Sequence, residues 1–117
     1  DTVTQVTKDH SLVQLMIDTG RITPEEAKTH PDKNIITRAV GIENFVDIDI
    51  EIVDISAEDK LLLCTDGLSG AVENNDILSI VKEYNEVSAE KLIEKAIENG
   101  SRDNITAVIV DSVIEGE

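Results

Sequence analysis

The strictest pattern in the chain is an alternation: Val46, Ile48, Ile50 and Ile52 interleave with Asp47, Asp49, Glu51 and Val53. Successive side chains of a strand point to opposite faces, so this run predicts a strand with one buried and one wet face, as antiparallel sheets have. Its expected neighbour is the apolar run Lys60-Leu61-Leu62-Leu63-Cys64-Thr65, reached through a turn at Glu58-Asp59 and read as a fully buried strand. A chain that opens its pattern this way must build at least part of itself as sheet.

Other segments carry the helical period. Ser11 to Thr19 places Leu12, Leu15 and Met16 at helical spacing, and Gly20 follows where a left-handed cap belongs. Thr23-Pro24-Glu25-Glu26 is a helix start with a capping box and proline in the first turn; His30-Pro31 keeps that helix short. Asp76 to Tyr84 predicts a helix with Ile77, Ile80, Val81 and Tyr84 on one face. Ser88 is placed to cap another, carrying Leu92, Ile93, Ala96 and Ile97 and closed by Gly100. Thr2 to Thr7 alternates as a strand, Asn34 to Val40 is apolar and β-branched up to Gly41, and Ile105 to Val113 reads as a central strand. Paired strands interrupted by helices predict an α+β class rather than a doubly wound parallel sheet.

Charge narrows the function classes. Among 117 residues, 25 Asp and Glu face 10 Lys and Arg, a net charge of −15. That excess argues against nucleic acid, whose phosphates need clustered cations, and one Tyr, one Phe and no Trp offer no base-stacking platform. No apolar run spans a bilayer, Asp1-Thr2-Val3-Thr4 lacks the basic and apolar regions of a signal peptide, and a single cysteine cannot form an internal disulfide. The expectation is a cytoplasmic, metal-competent acidic chain with no membrane and no nucleic-acid partner.

Two aspartates stand out by position. Asp66 directly follows the apolar run in Cys64-Thr65-Asp66-Gly67-Leu68, and Asp103 precedes the last one in Ser101-Arg102-Asp103-Asn104-Ile105-Thr106. If those strands are neighbours, both carboxylates emerge at one sheet edge, where hard oxygen ligands suit Mg²⁺ or Mn²⁺. The plainer reading is that Asp-Gly is an ordinary turn and that an aspartate before a strand is solvated. His10 and His30 have no i,i+4 partner and no nearby cysteine, which excludes a zinc motif, and Cys64 reads as a buried, inert thiol. No nucleophile motif, Walker lysine or Gly-x-Gly-x-x-Gly run occurs.

Four segments in order resemble the C-terminal half of the metal-dependent protein phosphatase 2C family in its compact bacterial form. They are Thr7-Lys8-Asp9-His10-Ser11, Thr37-Arg38-Ala39-Val40-Gly41, Leu61 to Leu68 ending in Asp66-Gly67-Leu68, and Asp103-Asn104-Ile105-Thr106. The resemblance implies a four-layer α-β-β-α sandwich of antiparallel sheets flanked by helices, with residues 1–117 as its C-terminal half. It implies two Mn²⁺ or Mg²⁺ ions, with a third in several bacterial members. Asp66 and Asp103 would be carboxylate ligands of one of the two, and Asp9 would help hold the third with Asp66 near it. Residues 17–34 would form a flap containing His30, which either handles substrate or simply ends a helix. Arg38 would be a structural ion-pair partner. The reaction implied is hydrolysis of phosphoserine or phosphothreonine in proteins by a metal-bridged hydroxide, with a eukaryotic-type Ser/Thr kinase among the partners.

The family's phosphate-binding arginine, glutamate-aspartate pair and glycine-rich metal loop have no counterpart here. The expectation is therefore a fragment inactive alone. Leu61, Leu63, Val108 and Val110 would await an N-terminal half or self-association. The alternative is a non-catalytic, pseudophosphatase-like binding module.

Overall fold

The computed structural model describes residues 2–111. They form two compact units: Gln5–Ile52, and a larger unit whose described part is residues 2–4 and 53–111.

The larger unit is built on an antiparallel pair, β1 (Lys60–Cys64) with β2 (Ala107–Asp111), in the register Leu61↔Val110 and Leu63↔Val108. Between them run α3 (Asp66–Ser69), α4 (Asn74–Tyr84), a 3-10 turn (Asn85–Val87) and α5 (Ser88–Glu98). Alternation along the strands decides the packing. Leu62, Ala107 and Ile109 face a core of Leu68, Val72, Ile77, Leu92 and Ala96, with Val3, Ile80, Val81 and Ile105 around it. Leu68, Leu92 and Ala96 are fully buried. On α5, Leu92 and Ala96 lie four residues apart and so share a face, which is why the amphipathic period read from sequence became the core. Ser88 is buried but is not the expected cap: the N-cap of α5 is Val87, and the Ser88 hydroxyl donates back to the Ile80 and Val81 carbonyls of α4 at 3.4 and 3.5 Å. Gly100 closes α5 with φ +92°, as anticipated.

The smaller unit holds α1 (Leu12–Asp18) and α2 (Pro24–Lys28). Ser11 caps α1 through the Gln14 amide, Gly20 follows at φ +76°, and the full Thr23/Glu26 capping box opens α2. The segment around Ser11 lies antiparallel to that around Ile36: Leu12 N–H donates to the Ile35 carbonyl and Thr37 N–H to the His10 carbonyl.

Several expectations are corrected. Val46–Val53 forms no strand and does not pair with β1; Ile48, Ile50 and Ile52 stand 78, 85 and 95% exposed. Alternation supplies an apolar face only where a layer exists to receive it, and none covers this run among the described residues. Thr2–Thr7 is likewise not a strand, and 34–40 contributes a single bridge. β1 is covered on one face only, leaving Leu63, Val108 and Val110 about half exposed. Within the described residues β2 has one neighbour and is not central; the end of its expected span, 112–113, lies outside them. The class is α+β, as expected. No helix among the described residues is long and apolar enough to cross a membrane.

Candidate metal centre

The register that pairs Cys64 with Ala107 brings the segment after β1 against the segment before β2. Thr65 N–H donates to the Thr106 carbonyl at 3.1 Å. Its hydroxyl accepts from Thr106 N–H at 3.0 Å and donates to the Asn104 carbonyl at 3.1 Å. The Ser101 hydroxyl donates to the Gly67 carbonyl at 2.8 Å. Gly67 is buried against the opposite segment so closely that a Cβ there would sit 2.2 Å from the Asn104 carbonyl oxygen. Only glycine permits that approach. Asp66 and Asp103 therefore stand on abutting backbone segments at one mouth of the sheet.

Both aspartates are exposed. The Asp103 carboxylate accepts its own neighbour's amide, Asn104 N–H, at 2.7 Å, and among the described residues neither aspartate is ion-paired with a Lys, Arg or His. Two carboxylates without a cationic partner at one rigid mouth fit a divalent cation, whose preferred ligands are hard oxygens. No group of three or more His, Cys, Asp or Glu converges among the described residues.

Asp9 belongs to the smaller unit, where it accepts from the Gln5 side-chain amide at 3.1 Å. It lines a cavity of about 190 Å³ together with Lys8, His10, Asp18, Arg38 and Asp49. Asp49 is the hub. It takes a hydrogen bond from His10 Nε2 at 2.8 Å and an ion pair from Arg38 Nη1 at 2.9 Å, and these hold its carboxyl below the usual aspartate range, His10 contributing most. Arg38 is thus an ion-pair partner, as expected. Asp18 is similarly lowered by its hydrogen bonds with Lys8 and Gln14. His30 lies just beyond α2, and its Nδ1 accepts Asp32 N–H at 3.0 Å, which makes it a local turn-former. Cys64 corrects its expectation: it is exposed at the end of β1, although partial desolvation still pushes its thiol pKa up.

Thr65, Gly67 and Ser101 were missed as contributors. Hydroxyls and a glycine flanking both aspartates were the available signal, but their partners are 34 to 41 residues away and depend on register.

The chain is 42% identical over 113 residues to the serine/threonine phosphatase Stp of Listeria welshimeri, covering 95% of itself and 45% of that protein. The crystal structure of the serine/threonine phosphatase Stp1 from Staphylococcus aureus superposes with a TM-score of 0.86 at 40% identity, over 97% of this chain and 44% of that one. The chain belongs to the metal-dependent protein phosphatase 2C family. It spans less than half the length of these phosphatases, and no protein-family model matches it. A further phosphatase structure, the PstP catalytic domain in complex with two manganese ions, matches with a TM-score of 0.73 at 41% identity, over 92% of this chain and 44% of that one. Membership accounts for the helices and the strand pair of the α+β fold described above.

Proposed function

We propose that this chain supplies the C-terminal half of a metal-dependent phosphoserine/phosphothreonine protein phosphatase. Asp66 and Asp103 are carboxylate ligands of one of two Mn²⁺ or Mg²⁺ ions, and Asp9 helps to hold a third. The single observation that carries the reading is the stitching of residues 65–67 to 101–106, which puts two carboxylates without cationic partners at one sheet mouth. When bound, divalent cations lower the pKa of water and offset phosphate charge, so an acidic protein can accept an anionic substrate.

The reaction is hydrolysis of the phosphate monoester: water attacks phosphorus and gives up a proton, the bond to the serine or threonine oxygen breaks, that oxygen takes up a proton to become the hydroxyl, and inorganic phosphate is released. Within this chain the work is to hold and orient. Asp66 and Asp103 fix position and charge, and the residues beside them, Thr65 and Gly67 with Ser101, Asn104 and Thr106, are tied together by hydrogen bonds, which limits the reorganisation required. Residues 17–34 serve as a flap, with His30 shaping its turn. The substrates are phosphorylated proteins in the cytoplasm, including a eukaryotic-type Ser/Thr kinase. On its own the chain is inactive, because two carboxylates are too few for a binuclear centre. The second reading is a non-catalytic binding module.

A chimera decides between them. The chain replaces the matched segment of the S. aureus phosphatase, and hydrolysis of para-nitrophenyl phosphate is followed with Mn²⁺. The expected result is turnover in the chimera, none above the metal blank for the isolated chain, and a loss of at least about a hundredfold in Asp66→Asn or Asp103→Asn. Near-parental hydrolysis after either substitution overturns the ligand roles. A folded but inactive chimera selects the binding module.

A further inference from the structure

Thr65 lies at the change from β1 to α3, and its hydroxyl does something the surrounding backbone cannot. In a hydrogen-bonded antiparallel pair the two residues exchange both of their N–H···O=C bonds. Thr65 and Thr106 exchange one: Thr65 N–H donates to the Thr106 carbonyl at 3.1 Å. The reciprocal amide, Thr106 N–H, goes to the Thr65 hydroxyl oxygen at 3.0 Å in place of its carbonyl. The carbonyl so released accepts Leu68 N–H at 3.0 Å and Ser69 N–H at 3.3 Å, the first bonds of α3. Thr65 is the N-cap of that helix, yet its side chain caps nothing within it, because the hydroxyl is committed across the sheet. Its proton completes the arrangement by donating to the Asn104 carbonyl at 3.1 Å.

We propose that Thr65 is a positioning residue for the metal centre: by substituting its hydroxyl for its own carbonyl in the ladder, it ends the strand and starts the helix within one residue, and so sets where Asp66 stands relative to Asp103. The proposal rests on the metal-ligand reading of these two aspartates. A valine of the same shape keeps the packing and loses both side-chain bonds. Within the chain the Thr106 amide then has only the Thr65 carbonyl to turn to, the ladder extends, and Asp66 is drawn away from its place. Serine keeps both bonds. Gly67 and Ser101 reinforce the contact and cannot replace this switch, since neither reaches the Thr106 amide.

The test uses the whole chain with Mn²⁺ alone as the probe, read by paramagnetic broadening of amide resonances, which registers even weak binding. In the parent, the amides of residues 66, 67, 103 and 104 broaden selectively. Thr65→Ser matches the parent within about twofold, and Thr65→Val needs about ten- to a hundredfold more Mn²⁺ for the same broadening, with amide shifts on α4 and α5 unchanged. Parent-like Mn²⁺ dependence in Thr65→Val, while Asp66→Asn abolishes broadening, overturns the positioning role alone. Unselective broadening in the parent overturns the metal-ligand reading and this proposal with it. If Thr65→Val does not fold, hydrogen exchange in the unaltered chain is decisive. Thr106 and Leu68 amides must be protected relative to Asn104, and free exchange of Thr106 overturns the proposal.

Discussion

Asp49 shows how much a single exposed side chain can organise. The ring of His10 and the guanidinium of Arg38 both reach it, so the segments around residues 10, 38 and 49 share one carboxylate. Its folded pKa is depressed, so its contribution to stability is fully present above the ordinary aspartate value of about 3.9 and is lost as pH falls through the lowered one. A carbon-detected carboxyl titration should find the Asp49 midpoint below the ordinary aspartate value, moving up toward it in Arg38→Leu; a midpoint at or above the ordinary value in the parent would refute the shared contact with His10 and Arg38. The opposite charges of these residues were visible in the sequence. Their meeting was not, because it depends on a fold in the chain between positions 10 and 49. The acids at 66 and 103 were more legible, each being marked by the end of an apolar run. Even there, the hydroxyls of Thr65 and Ser101 and the bare Cα of Gly67 acquire meaning only across the strand pair.

Among the elements, helices were read well and strands poorly. A helix satisfies its backbone within itself and announces its ends by local chemistry: the Thr23/Glu26 capping box and the left-handed Gly20 and Gly100 are all in place. A strand depends on another segment for its bonds, so the alternation at 46–53 described a capacity without stating whether a partner was at hand. Helix α5 is the element on which the larger unit turns, since it packs on both α4 and β2 and carries fully buried Leu92 and Ala96. Leu92→Ala should therefore cost about 2–5 kcal/mol in urea-induced unfolding followed by circular dichroism. A cost below about 1 kcal/mol would mean that the core does not close on this helix.

Across the molecule, burial is unevenly shared. Among the described residues, all fully buried side chains belong to the larger unit, whereas Ala27 is the one buried residue of Gln5–Ile52. Local opening follows burial and hydrogen bonding, so amides of residues 42–52 should exchange with deuterium at close to unstructured rates while those of α5 are strongly protected. Equal protection of the two would contradict this division. The α+β class, the ends of α1 and α2, the C-terminal ends of α4 and α5, the acidic character and the two aspartates flanking apolar runs were determined by the sequence itself, because each rests on residues near one another in the chain; α3 was hidden behind an Asp-Gly read as a turn. Which strands pair, which face of β1 is covered, and that Thr65, Gly67 and Ser101 hold the mouth of the sheet together were decided only by tertiary structure. Those contacts join residues far apart in sequence, and their strength comes from a register that no local pattern encodes.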